Sequence, residues 1–176
     1  MKRCKLLAML AVLALLLGTP GAWGLPVDDD ATCDISCVVD TIMEWEADAF
    51  PAIDLGTMTG QTDVLPGSAA LVLYTNGDLV ISADNTAAAE LSEGGGDVLY
   101  TEYSLAYDGN GVGATGGSSV AWTVHGSFLN SASSVTHIAG YGAVQVTLGA
   151  RASNAAGTLA DSGNYSAIQT LTASWL

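Results

Sequence analysis

The sequence predicts an all-β, antiparallel sandwich, and three observations carry that prediction. Gly, Ala, Ser and Thr are abundant while charged residues make up only 12% of the chain, which favours packed sheets over a helix bundle. Runs of alternating apolar and polar residues recur along the chain, and a period of two marks a strand with one buried face. Gly-rich stretches separate these runs, among them Gly94-Gly95-Gly96, 108-DGNGVGATGG-117 and 157-GTLADSG-163, and no convincing amphipathic helix follows residue 50. Short strands joined by such turns pack as two facing sheets. Neither an internal repeat nor a second domain is evident.

Residues 1–24 read as a secretory signal peptide. Lys2, Arg3 and Lys5 precede an apolar run from Leu6 to Leu17, and Ala22-Trp23-Gly24 supplies the small-x-small cleavage pattern. The run is shorter than the roughly 20 residues of a spanning helix, and nothing later resembles one, so no membrane span is expected once the peptide is removed. Cys4 lies ahead of the apolar run and leaves with it. The remaining chain, from about Leu25, is expected outside the cytoplasm. Three of the four basic residues belong to the peptide, which leaves Arg151 alone against 18 carboxylates. Such a surface repels phosphate backbones, so nucleic acid and anionic membranes are poor partners.

Residues 25–45 form an N-terminal segment ahead of the main domain, residues 46–176. In 33-CDISCVVDTIMEW-45 the odd positions Cys33, Ile35, Cys37, Val39, Met43 and Trp45 are apolar and only Thr41 breaks the series, which is strand periodicity. Ile35, Val38, Val39, Ile42 and Met43 also fall at helical spacing, so a short helix is the alternative. The two readings treat the cysteines differently. Residues four apart in a strand are separated by about 13 Å, whereas a disulfide needs Cα atoms about 4.4–6.8 Å apart. A Cys33–Cys37 bridge therefore requires a turn or helix, and a strand leaves the thiols to other chains or free. Export favours oxidation in either case.

In the main domain, Asn76-Gly77 within 71-LVLYTNGDLVIS-82 is the preferred two-residue hairpin turn, pairing Tyr74 with Leu79 and Val72 with Ile81. Further strands are expected at Asp97–Tyr107, Ser119–His125, Val135–Ala139 and Ala143–Arg151. The last is 163-GNYSAIQTLTASWL-176, in which Tyr165, Ala167, Gln169, Leu171, Ala173 and Trp175 alternate with Ser166, Ile168, Thr170, Thr172, Ser174 and Leu176.

Signals for chemistry are weak. No G-x-S-x-G elbow accompanies His125 or His137, so both histidines read as structural and no enzymatic activity is expected. The stretch 111-GVGATG-116 matches G-x-G-x-x-G but runs into a strand signal rather than the helix that a dinucleotide site needs. Asp108-Gly109-Asn110-Gly111 lacks the later carboxylates of a calcium loop, and Cys33-x3-Cys37 has no nearby histidine to complete a zinc set. No metal or cofactor is expected. Asn164-Tyr165-Ser166 is a formal glycosylation sequon without further support.

Gly163 is fourteenth from the end and Trp175 is a penultimate aromatic, flanking an alternating strand; this pattern resembles the C-terminal signature of chaperone–usher pilus subunits. The segment 53-IDLGTMTG-60 followed by 71-LVLYTNGDLVIS-82 is similar to the early strand and hairpin of those pilins and of spore coat U-type domains. About half of the expected mature chain is covered. The resemblance implies an immunoglobulin-like sandwich lacking one strand, with an open edge beside its final strand that a neighbour's N-terminal extension fills. The partners implied are other copies of the chain, with a periplasmic chaperone and an outer-membrane usher. On this reading Cys33, Ile35, Cys37, Val39 and Met43 form the donor segment, and Gly163, Tyr165, Leu171 and Trp175 mark the acceptor edge. Cys33–Trp45 as the first strand of a complete domain is the other possibility. Two departures stand out: no cysteine follows Cys37, so the family's usual bridge to a later strand is absent, and Asp28-Asp29-Asp30 is unlike an apolar donor.

The function expected is a secreted structural subunit of a fimbria-like filament or surface coat. The alternative is a monomeric carbohydrate- or protein-binding module using Tyr103, Tyr107, Trp122 and Tyr141 as exposed aromatics.

Overall fold

A computed structural model describes residues 30–94 and 96–176; the expected signal peptide lies outside them. The chain divides into two units, the first ending at Val38 and the second running from Val39 to Leu176. In the first, residues 30–38 have no regular secondary structure.

The second unit is all-β. Its strands are β1 (Met43–Trp45), β2 (Val64–Thr75), β3 (Leu79–Ala83), β4 (Tyr100–Tyr107), β5 (Gly116–Gly117), β6 (Val120–Val124), β7 (Ser133–Thr136), β8 (Ala143–Ser153) and β9 (Leu171–Trp175). One sheet runs β1-β2-β8-β4-β6 and the other β5-β7-β3-β9, with every pairing antiparallel. The expected strands beginning at Asp97, Ser119, Val135 and Ala143 correspond to β4, β6, β7 and β8, with ends shifted by a few residues.

Alternation explains which side chains face inward. Leu71 and Leu73 of β2, Val144 and Val146 of β8, and Leu79 and Ile81 of β3 are all buried. Phe128 and Leu129 enter the same core from the connection between β6 and β7, and the Phe128 and Tyr103 rings lie 5.5 Å apart. Tyr103, expected to be exposed, is only 3% accessible because its odd register on β4 points it inward.

Its hydroxyl donates to the Ala89 carbonyl at 2.7 Å, and burial raises its pKa from 10.0 to about 12. The folded state thus favours the neutral phenol. That contribution is complete below the unfolded pKa and is lost as pH rises through the folded one. Stability measured by urea unfolding is accordingly expected to fall from about pH 10 to pH 12, and less steeply in Tyr103→Phe; equal slopes would remove Tyr103 as the cause.

The predicted Asn76-Gly77 hairpin is corrected by the fold. β2 and β3 belong to different sheets: Val72 pairs with Gln145 and Ile81 with Ser133. Neither Asn76 nor Gly77 has the positive φ that a two-residue hairpin turn requires. Leu71, Leu73, Leu79 and Ile81 all need burial, and passing the chain from one sheet to the other sets the two pairs against a common core. The Thr75 hydroxyl secures the crossing, donating to the Gly77 carbonyl at 2.8 Å and accepting from the Gly77 N–H at 3.2 Å.

Arg151, on β8, donates to Glu102 of β4 at 2.6 Å, and its guanidinium lies 4.8 Å from the centre of the Trp122 ring. Gly149 makes room for that ring, since a Cβ there would sit 2.9 Å from Trp122 Cη2.

Candidate functional site

The free margin of the second sheet begins with β9. Asp84 N–H donates to the Thr170 carbonyl at 2.9 Å and Leu176 N–H to the Asp78 carbonyl at 3.3 Å. Antiparallel hydrogen-bonded pairs alternate along a ladder, so even-numbered residues of β9 bond to β3. Leu171, Ala173 and Trp175 therefore turn their N–H and C=O groups to the other side, where β9 has no partner strand among the described residues. The same phase continues upstream. Ser166 exchanges two backbone bonds with Ser92, at 3.0 and 3.1 Å, and Ile168 N–H donates to Ala88 at 2.7 Å, which leaves the backbone groups of Ala167 and Gln169 facing away.

Beside this margin lies a cleft of about 1760 Å³. Its floor is the inner face of the first sheet, with Leu71, Tyr103, Leu148 and Ala150. One wall is the run from Leu159 to Leu171, and the other is the irregular stretch from Glu44 to Gln61. Small-molecule pockets span about 300–1,000 Å³, so this space suits a length of chain better.

Local chemistry holds the walls. Phe50, Ile53 and Leu55 pack on the core, and the Trp45 and Phe50 rings meet edge-on at 5.5 Å. Gly67 admits this wall, because a Cβ there would lie 2.6 Å from Ile53 Cγ2 and 2.9 Å from Leu55 Cδ2. Asp63 ends the stretch by accepting from the N–H groups of Thr59 and Gly60 at 2.8 and 2.7 Å, and those bonds lower its pKa. At the opposite rim the Tyr165 hydroxyl donates to Asp97 at 3.0 Å and lies 2.9 Å from the Asp161 carbonyl, which competes for the same proton. Burial, then the Asp97 carboxylate, push that hydroxyl up to about 12. Asp97 is held below its ordinary value by the Asp161 N–H and then by Tyr165.

Gln169 stands out within the cleft wall. Both polar atoms of its carboxamide are buried without a hydrogen-bond partner among the described residues, a condition that costs about 1–3 kcal/mol.

The residues predicted for the site are distributed as follows. Tyr165 and Leu171 line the cleft, and so does Gly163, which lies against the Glu93 side chain. Trp175 packs over Gly77, whose added Cβ would meet its ring at 3.1 Å. Of the expected donor residues, Met43 is in β1 and pairs with Thr75, and its side chain packs on the core. Cys33, Ile35, Cys37 and Val39 are exposed and outside any strand, with Ile35 91% accessible. Both cysteines are free thiols. Strand geometry thus appears only over the last three residues of Cys33–Trp45.

Asn76 explains where β1 pairing starts. Its side-chain oxygen accepts from Ile42 N–H at 2.8 Å, its amide nitrogen donates to the Asp40 carbonyl at 2.8 Å, and its own N–H donates to the Ile42 carbonyl at 3.2 Å. Sequence reasoning missed this role and that of Gln169. A side-chain amide imitating a strand leaves no periodic signal.

Other constellations are accounted for structurally. Tyr107 is drawn inward, donating to Ser133 at 2.8 Å, so with Tyr103 it leaves the expected aromatic surface; Trp122 and Tyr141 remain exposed. Asp108 is occupied by the Gln145 N–H at 2.8 Å, and no group of three or more His, Cys, Asp or Glu side chains among the described residues is placed to hold a metal. In the glycine-rich loop, a Cβ at Gly116 would run into the Gly109 carbonyl, so these glycines serve a close backbone approach. His125 sits 3.7 Å from Glu90, and His137 donates its backbone N–H to Asp78 at 2.8 Å.

No protein-family model matches the chain, and no curated protein matches it.

Proposed function

We propose that this chain is an exported structural subunit of an extracellular filament or surface coat, an immunoglobulin-like sandwich that assembles by adding a strand from one copy to the cleft of the next. The observation that carries the reading is the free margin from Ala167 to Trp175, whose residues as far as Leu171 line a cleft with an apolar floor and mixed walls. An unpaired sheet edge offers N–H and C=O groups to a further strand, and adjacent pockets take its alternate side chains. The donor is the stretch before Asp40, where the Asn76 clamp begins. Ile35, Cys37 and Val39 recur with strand spacing, and all three are exposed. A periplasmic chaperone occupying the cleft before assembly, and an outer-membrane usher, complete the route.

Magnitudes assign the main role to the side chains. Backbone pairing contributes about 0.5–1.5 kcal/mol per bond, whereas ordering a residue costs about 1–2 kcal/mol. Burying an aliphatic plug adds roughly 1.5–3 kcal/mol. Pairing of Gln169 within the filled cleft would relieve the cost of its buried amide.

Deleting residues 30–39 is expected to give a folded subunit that runs as a monomer on size exclusion, while the intact chain forms SDS-resistant ladders and fibres by negative-stain microscopy. Fibres from the deleted chain would rule out this donor.

A further inference from the structure

We infer that a disulfide between Cys33 and Cys37 and donation of their segment exclude one another, so that the pair is a redox latch on assembly. The inference rests on the strand-addition reading. It follows from the spacing of the pair and the accessibility of its thiols.

Both thiols are free and exposed, in a stretch without secondary structure to hold them apart. As an extended donor, the stretch separates their Cα atoms by about 13 Å. A bridge demands about 4.4–6.8 Å, so closing it folds residues 33–37 into a turn. Ile35 then lies within the ring and cannot alternate with Cys37 and Val39 along a strand. Cys37, one of the plugs, is itself consumed by the bond. Conversely, a donor already docked beside β9 holds the sulfurs beyond reach of each other. The remaining cysteine of the chain is Cys4, so the acceptor unit from Val39 to Leu176 contains no thiol that could lock the joint covalently.

A low-molecular-weight disulfide, with glutathione disulfide as the probe, closes the latch. The thiolate of one cysteine attacks a glutathione sulfur, breaking its S–S bond and releasing one glutathione thiolate, which takes up the proton lost by the cysteine. The second cysteine thiolate then attacks the protein sulfur of the mixed disulfide. The Cys33–Cys37 bond forms and a second glutathione leaves, likewise taking a proton. Two protein thiols are oxidised and one glutathione disulfide is reduced to two glutathione thiols. Dithiothreitol reverses the sequence.

The test uses the full chain refolded from guanidinium chloride. Polymer growth is followed by light scattering in glutathione disulfide or in dithiothreitol, alongside a variant carrying Cys33→Ser and Cys37→Ser, with the bridge identified by mass spectrometry of unreduced peptides. The expected result is growth of the parent in dithiothreitol, at least about tenfold slower growth once bridged, recovery on reduction, and equal growth of the serine variant in both conditions. Equal growth of bridged and reduced parent would overturn the latch while leaving strand addition in place. Oxidation yielding only chain-to-chain dimers would overturn it as well. Failure of the reduced parent and the serine variant to polymerise under any condition would bring down the donor assignment, and the latch with it.

Discussion

A variant carrying Ala167→Pro and Ala173→Pro is expected to fold and, if copies join by the proposed strand addition, to lose polymerisation completely. Both alanines are odd members of the run whose even members bond to β3 and to residues 84–92, so the two N–H groups removed are ones that face away from the fold. Proline is tolerated at a sheet edge where its missing donor faces outward, and it is excluded where a ladder bond is needed. An incoming strand loses two donors and meets two pyrrolidine rings in their place. Thr172→Pro is the contrasting variant, since Thr172 belongs to a bonded pair with Ser82. It is expected to unfold the subunit rather than merely stop assembly. Circular dichroism and thermal unfolding report the fold, and size exclusion with negative-stain microscopy reports the polymer. If the double variant still built fibres, the margin of β9 would not be the joint.

Phe128→Ala is expected to cost about 3–5 kcal/mol, a large share of the roughly 5–15 kcal/mol that holds a domain together. Phe128 is fully buried and meets the Tyr103 ring at 5.5 Å. Its neighbour Leu129 is the one non-glycine residue among those described with a positive φ, 52°, a conformation that costs of order 1–3 kcal/mol and persists only where packing fixes it. Both side chains are in the core, so truncating the ring removes contacts and weakens the restraint on Leu129 together. The measurement is the urea midpoint at unchanged slope. A loss below about 1 kcal/mol would mean that the connection repacks into the space, and the role given to Phe128 would be wrong.

Much of the fold was legible because strand alternation is written locally. The expected strands from Ser119 and Ala143 became β6 and β8, and Tyr107 was placed at the end of β4. The hairpin at Asn76-Gly77 was misread because the local signal for a tight turn is the same whether the flanking strands pair or separate. The choice belongs to β8, which takes β2, and to β7 and β9, which take β3. Such partners lie too far along the sequence for a turn motif to reveal. Of the site, the alternation from Tyr165 onward pointed to a terminal strand, which forms only over Leu171–Trp175, because alternation marks faces but does not fix which residues pair. The wall built from Phe50, Ile53 and Leu55 could not be read in this way, because it is an irregular stretch admitted by the missing side chain of Gly67. Nor could Asn76 be recognised as a clamp, since its partners Asp40 and Ile42 are more than thirty residues away.

The setting of Arg151 bears on resistance to proteolysis. A protease that cuts after lysine or arginine finds one target in residues 30–176. That target lies within β8, flanked by β2 on one side and β4 on the other, with its guanidinium engaged by Glu102 and Trp122. A strand held on both sides enters a protease groove only after large-scale opening of the sheet, so digestion of this kind is set by the rarity of that opening.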